Sequence, residues 1–233
     1  MGQTFAFQGL YVITDALLIP DERLLIAVEQ ALLGGAQMVQ YRDKSADVSV
    51  HLPPLKKGGT ERLRADIARR RAQAQALNVL CQRHDVPLII NDDVELAAEV
   101  GAAGVHIGQD DPQYTTARAR LGAKALIGVS CYNCLDLALA AEQAGANYVA
   151  FGAFFPSPTK PTEIRASLEL LREARAALTV PIIAIGGIIP ENARPLLEAG
   201  ADALAVISGV FGQPDTQAAA ARYAALFARG PLR

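Results

Sequence analysis

The chain has 233 residues, enough for an α/β domain with a large core, and half of them are hydrophobic (51%) with no Trp, a balance that suits helices covering a buried parallel sheet. A formal charge of −2, with no dense basic block beyond Arg69-Arg70-Arg71, argues against nucleic acid as a main partner and reads that Arg run as a solvated helix face. No apolar run reaches the ~18–20 residues of a membrane span, Met1 to Phe7 lacks the pattern of a secretory signal, and three cysteines make no disulfide framework, so the expected compartment is cytoplasmic.

Apolar strand patterns alternate with helical ones from end to end. The spacing predicts a strand at Leu10–Thr14, a helix at Arg23–Leu33, a strand at Ala36–Tyr41 and a helix at Leu63–Arg83. Strands follow at Pro87–Ile90, Gly104–Ile107 and Leu126–Ser130, then a helix at Cys134–Ala144 and a strand at Tyr148–Phe151. A helix at Leu168–Leu178, a strand at Pro181–Ile185, a helix at Ala193–Ala199 and a strand at Ala203–Ile207 complete the series. Gly34-Gly35-Ala36, Val100-Gly101-Ala102, Ala144-Gly145-Ala146 and Ala199-Gly200-Ala201 each stand before a strand, where Gly can end a helix in the left-handed conformation. Eight such units predict one domain over 1–233, a closed (β/α)8 TIM barrel. The alternative, an open doubly wound sheet, lacks a full Gly-x-Gly-x-x-Gly fingerprint. One connection is irregular: residues 45–59 are polar and punctuated by Pro and Gly, and read as a lid or a mobile loop.

In a barrel, function belongs at the carboxyl ends of the strands, and polar residues gather there. Gln40, Arg42 and Lys44 share one face by the period of two, an amide and two cations suited to a diphosphate on a heterocycle. Asn91-Asp92-Asp93 and Gln109-Asp110-Asp111 place carboxylates at two neighbouring ends. These favour Mg²⁺, although either Asp of each pair could instead cap a helix. His106 lies among alternating apolar residues and reads as a buried, hydrogen-bonded structural histidine. Ser130 ends the fifth strand. Cys131-Tyr132-Asn133-Cys134 has redox or zinc spacing but no second ligand pair, and reads as core and helix-start packing. The Pro-stiffened Phe155–Pro161 loop presents Ser157, Thr159 and Lys160 to a second ligand. Ile185-Gly186-Gly187-Ile188 and Ile207-Ser208-Gly209 offer backbone N–H groups where barrels commonly bind phosphate.

Taken in order, Gln-x-Arg-x-Lys from Gln40, Ile90-Asn91-Asp92, His106-x-Gly-Gln109-x-Asp111, Gly128-x-Ser130, Pro156-x-x-Thr159-Lys160, Ile185-Gly-Gly-Ile188 and Ser208 resemble the thiamine-phosphate synthase family of (β/α)8 enzymes. The resemblance implies a transferase of thiamine biosynthesis that joins a hydroxymethylpyrimidine diphosphate to a thiazole phosphate, carboxylated or not, and releases pyrophosphate. It implies that Gln40, Tyr41, Arg42, Asp43, Lys44 and Asn91 line the pyrimidine diphosphate, and that Asp92 and Asp111 hold Mg²⁺. Ser130 and Lys160, with Arg42 and Lys44, would act on the departing diphosphate. Ser157, Pro158 and Thr159 would face the thiazole, and Gly187, Ile207 and Ser208 its phosphate. Three features depart from the family pattern: the length of 45–59, Ser157 where Thr is common, and Cys131-Tyr132-Asn133 after Ser130. A thiazole tautomerase would keep the phosphate loops without needing Mg²⁺ or the cations, and a non-catalytic phosphate sensor would bind without turnover. The expected partners are small molecules, with neither nucleic acid nor membrane, and a homo-oligomer is compatible with this reading.

Overall fold

Eight short parallel strands pair in chain order and close on themselves, β8 returning to β1. The structure is a computed structural model describing residues 7–44, 59–108, 114–156 and 163–228. The strands are β1 (Gly9–Ile13), β2 (Ala36–Tyr41), β3 (Leu88–Asn91), β4 (Gly104–Ile107), β5 (Leu126–Tyr132), β6 (Tyr148–Gly152), β7 (Ile182–Ile185) and β8 (Ala203–Val206). Around them run α1 (Leu24–Leu33), α2 (Gly59–Arg83), α3 (Val94–Val100), α4 (Tyr114–Leu121), α5 (Leu135–Ala144), α6 (Leu168–Ala177) and α7 (Pro190–Glu198). A short turn, α8 (Ser208–Phe211), leads to α9 (Thr216–Phe227), which packs against α1 and β1.

Both faces of the strands are buried, which is why they read as continuous apolar runs. Alternation still sorts the residues. Tyr11, Ile13, Met38, Ile89, Tyr148, Ala150, Ile183, Ala203 and Ala205 fill the barrel interior. Leu10, Val12, Val39, Leu88, Ile90, Val149, Ile182 and Leu204 pack outward under the helices. Helix starts are fixed by side chains: Asp93, Ser167 and Asp215 accept from the backbone N–H groups of Leu96, Leu170 and Ala218. α3 and α5 end at Gly101 and Gly145 with φ of 66° and 96°, as the Gly-Ala punctuation requires.

Several boundaries differ from expectation, each for a local reason. β1 stops at Ile13, because Thr14 turns its hydroxyl to the backbone of Arg42. β5 runs on through Cys131 to Tyr132, past an irregular register beside β6. α2 already begins at Gly59, so the connection after β2 is shorter by one residue, and 45–58 lie outside the described residues. The Arg run is not a solvated face. Arg69 joins Asp43, Asp66 and Asp21, and Arg70 reaches Asp93, so two of the three arginines tie α2 to the ends of β2 and β3. Only Arg71, paired with Glu99, is mostly exposed. Among the described residues no helix is long and apolar enough to cross a membrane.

Candidate functional site

The polar strand ends open into a cleft of about 1000 Å³, continuous with solvent and lined by Gln40, Arg42, Asn91, His106, Ser130 and Tyr132 over an apolar floor. The period of two works at the end of β2 as expected. Gln40 is buried and its amide donates to the Tyr11 hydroxyl at 2.7 Å. Arg42 donates to Asp15 at 2.9 Å, and Lys44 to Asp92 at 3.1 Å. The side chains of Tyr41 and Asp43, expected with them along the ligand, do not join them. They point outward to α2, the Tyr41 hydroxyl donating to Gln73 at 2.7 Å and Asp43 pairing with Arg69 at 2.7 Å.

Arg42 is placed by residues that the motif-based reading did not single out. Thr14 Oγ1 accepts from the Arg42 N–H at 2.9 Å and donates to the Arg42 carbonyl at 3.1 Å. The carboxylate of Asp15, held from behind by the Leu17 N–H, receives the guanidinium. The first strand end therefore carries site chemistry as well. A Thr-Asp pair ending an apolar run was the available signal.

The end of β3 divides the work of its two aspartates. Asp93 caps α3 and receives Arg70, so its carboxylate is spent on structure. Asp92 has φ of 61°, and its carboxylate is half-exposed next to the cleft-lining Asn91, accepting from Asn91 Nδ2 at 2.7 Å and from Lys44. Gln109, Asp110 and Asp111 lie outside the described residues, as do Ser157, Pro158, Thr159 and Lys160. Among the described residues no three His, Cys, Asp or Glu side chains cluster as a metal site. One exposed carboxylate beside a cleft is compatible with Mg²⁺, which commonly takes only one or two protein carboxylates and completes its shell with water and substrate phosphate.

His106 is 8% exposed and bonded at both nitrogens, to the Tyr148 hydroxyl at 3.2 Å and to Ser130 Oγ at 2.8 Å. Its ring stacks on that of Tyr148, and the Tyr148 hydroxyl also meets the Tyr11 hydroxyl at 3.0 Å. Burial pushes both phenols above their ordinary pKa, so they serve here as neutral hydrogen-bonding groups. Cys131 is buried and pushed up to about 12 by burial and the neighbouring Cys134, while Cys134 starts α5. The CxxC pair is packing, as expected.

A second lobe of about 990 Å³ lies between the ends of β7 and β8, lined by Gly186, Gly187, Ile188, Ser208, Gly209 and Gln213. Ile185, Gly186, Ala205 and Ile207 line both lobes, so the two are joined. Asn192 holds the glycine loop, accepting from the Ile189 N–H and donating to the Gly187 carbonyl at 3.1 Å. Gly187 has φ of 61°, and a Cβ there would lie 2.3 Å from the Pro156 carbonyl oxygen. Only glycine fits.

The sequence matches the family described as Thiamine monophosphate synthase over residues 10–210. It is 54% identical over 218 residues to a thiamine-phosphate synthase of Nitrosococcus oceani, covering 94% of this chain and 92% of that one. A thiamine-phosphate synthase of Thiobacillus denitrificans is 50% identical over 224 residues, with 96% of each chain covered. Among solved structures, thiamine phosphate pyrophosphorylase from Pyrococcus furiosus superposes with a TM-score of 0.74 at 32% identity, over 95% of this chain and 96% of that one.

Proposed function

The chain belongs to the Thiamine monophosphate synthase family, and on that premise we propose that its barrel mouth joins a hydroxymethylpyrimidine diphosphate to a thiazole phosphate, giving thiamine phosphate and pyrophosphate. The observation that carries the reading is the two-lobed cleft: Arg42 lines one lobe, Gly187 and Ser208 line the other, and a shared floor joins them. Two phosphorylated substrates can then lie side by side, each with its own anion-binding wall.

Gln40 and Asn91 would grip the pyrimidine end, with Arg42 and Lys44 aimed at its diphosphate. As the bond from the pyrimidine methylene to the diphosphate oxygen breaks, negative charge gathers on the departing group. Arg42 and Ser130 line the cleft, Lys44 follows the end of β2, and with Lys160 they would act on that charge. Donors fixed before the reaction need no reorganisation when that charge develops. The thiazole phosphate would be held by N–H groups of Gly187, Ile207 and Ser208, with Ser157, Pro158 and Thr159 along the ring. This leaves the thiazole nitrogen directed at the carbon that loses diphosphate. No covalent nucleophile is needed. Asp92 and Asp111 would hold Mg²⁺, which when bound supplies further positive charge to the diphosphate.

A thiazole isomerase would use the glycine lobe and leave Arg42, Lys44 and Asp92 without a task. The three cysteines are unpaired thiols, which supports a reducing, cytoplasmic setting. The test is a reaction with both half-substrates and Mg²⁺, following pyrophosphate release and thiamine phosphate together. Folded protein that yields neither would overturn the reading.

A further inference from the structure

Five side chains from five strands form one hydrogen-bonded row across the barrel interior. Gln40 Nε2 on β2 donates to the Tyr11 hydroxyl on β1 at 2.7 Å, which meets the Tyr148 hydroxyl on β6 at 3.0 Å. Tyr148 reaches His106 Nδ1 on β4 at 3.2 Å, and His106 Nε2 reaches Ser130 Oγ on β5 at 2.8 Å. The four members from Gln40 to His106 are buried. Packing holds them in place. Gly128 sits opposite Tyr148 in the ladder, and a Cβ there would lie 2.0 Å from the phenol carbon Cζ.

Each phenol carries one proton and a neutral imidazole carries one, so the row has a sense. In one sense Gln40 donates to Tyr11, Tyr11 to Tyr148, Tyr148 to Nδ1 of His106, and Nε2–H to Ser130. The Ser130 proton is then left over and points into the mouth. In the opposite sense Ser130 donates inward to His106 and shows only lone pairs to the cleft. The amide nitrogen of Gln40 faces Tyr11, which sets the first sense. An anion in the cleft requires the same sense, since lone pairs directed at a diphosphate repel it.

We propose that this row holds His106 as the neutral Nε2–H tautomer, and that His106 is a positioning residue which turns the Ser130 hydroxyl proton outward to the departing diphosphate. The role of Ser130 rests on the function proposed above; the tautomer does not. Polarity is thereby passed from the pyrimidine end of the cleft, at Gln40, to the diphosphate end, at Ser130. Bonds in such a row polarise one another, so the outward hydroxyl is a stronger donor than an isolated serine.

The test begins with imidazole ¹⁵N spectra of the ligand-free protein, with the His106 signals assigned by their loss in His106→Asn. The expected spectrum has Nε2 protonated and Nδ1 bare; a protonated Nδ1 in the neutral ring overturns the proposal. That result needs no substrate, so it stands or falls apart from the synthase reading, which pyrophosphate release decides. Next, Tyr148→Phe removes the donor to Nδ1 while keeping the ring. It is expected to mix the two tautomers and to lower kcat about ten-fold, the scale of one hydrogen bond to a charged group, with KM for the thiazole phosphate unchanged. A single Nε2–H tautomer persisting in Tyr148→Phe, or an unchanged kcat, overturns the proposal as well.

Discussion

Arg42 reaches Asp15 at 2.9 Å from a side chain that is 19% exposed, to a carboxylate that is only 7% exposed. The pair joins the ends of β1 and β2, and Thr14 bonds both the N–H and the carbonyl of Arg42 beneath it. The guanidinium is thus aimed before any ligand arrives. Asp15→Asn keeps the shape and removes the charge, and a charge-assisted bond is worth about 1.5–3 kcal/mol. The expected result is a fall of about ten-fold or more in kcat/KM for the pyrimidine diphosphate, with little change in KM for the thiazole phosphate. Steady-state kinetics with each substrate varied in turn measures both; an equal loss for the two substrates would count against a local role.

Neighbouring Asp92 and Asp93 should separate cleanly by mutation. Asp93 caps α3, so Asp93→Ala is expected to cost about 1 kcal/mol of stability while keeping Mg²⁺-dependent turnover. Asp92→Asn removes the carboxylate at the mouth and is expected to cut turnover by about a hundred-fold or more, with thiazole phosphate binding retained. Mg²⁺ titrations of activity, with calorimetry for the phosphate ligand, distinguish the two. The reverse pattern would show that the metal lies with Asp93.

The barrel and its polar rim were legible because both depend on short-range periods. Ala36–Tyr41 and Gly104–Ile107 match the observed strands end for end, since a buried parallel strand must be apolar on both faces. The direction of Gln40, Arg42 and Lys44 follows from the same alternation, and so does the outward turn of the Tyr41 and Asp43 side chains. What stayed hidden depends on long-range pairing. Tyr11 and Tyr148 sit in apolar runs, and nothing local says that hydroxyls 137 positions apart will meet. Arg69 and Arg70 looked solvated because their carboxylate partners, Asp43 and Asp93, lie more than twenty positions away. α3, with seven residues, is too short for its period to stand out.

Gly187 combines a left-handed backbone, φ 61°, with a backbone oxygen 2.3 Å from where a Cβ would stand. Alanine there carries about 1–2 kcal/mol of conformational strain and must also displace Pro156 or the loop. Because the Gly187 carbonyl is tied to Asn192, the displacement falls on the lobe assigned to the thiazole phosphate. KM for that substrate is expected to rise about ten-fold for Gly187→Ala, while KM for the pyrimidine diphosphate changes little. Should both rise together, the two lobes are not independent sites.

Stability should fall in alkali for a reason built into the core between the strands and the helices, where Cys81 on α2 and Cys131 on β5 are both buried. Burial pushes Cys81 and Cys131 up to about 12, against an ordinary thiol value of 9.0. Below about pH 8 both thiols are protonated whether the chain is folded or unfolded, so they add no pH dependence. Above pH 9 the unfolded chain releases these protons and the folded one does not. The unfolded state then binds fewer protons, and stability falls as pH rises, by up to about 1.4 kcal/mol per pH unit for each thiol until the folded groups ionise near 12. Tyr223, also pushed up to about 12 by burial, adds to the slope once the unfolded phenol titrates at 10.0. Denaturant midpoints from pH 7 to 11 should be level at first and then decline. In Cys81→Ala the decline should be shallower despite the lower starting stability, because one of the two thiol proton releases is gone. A decline of the same steepness in that variant would show that the alkaline loss comes from other groups.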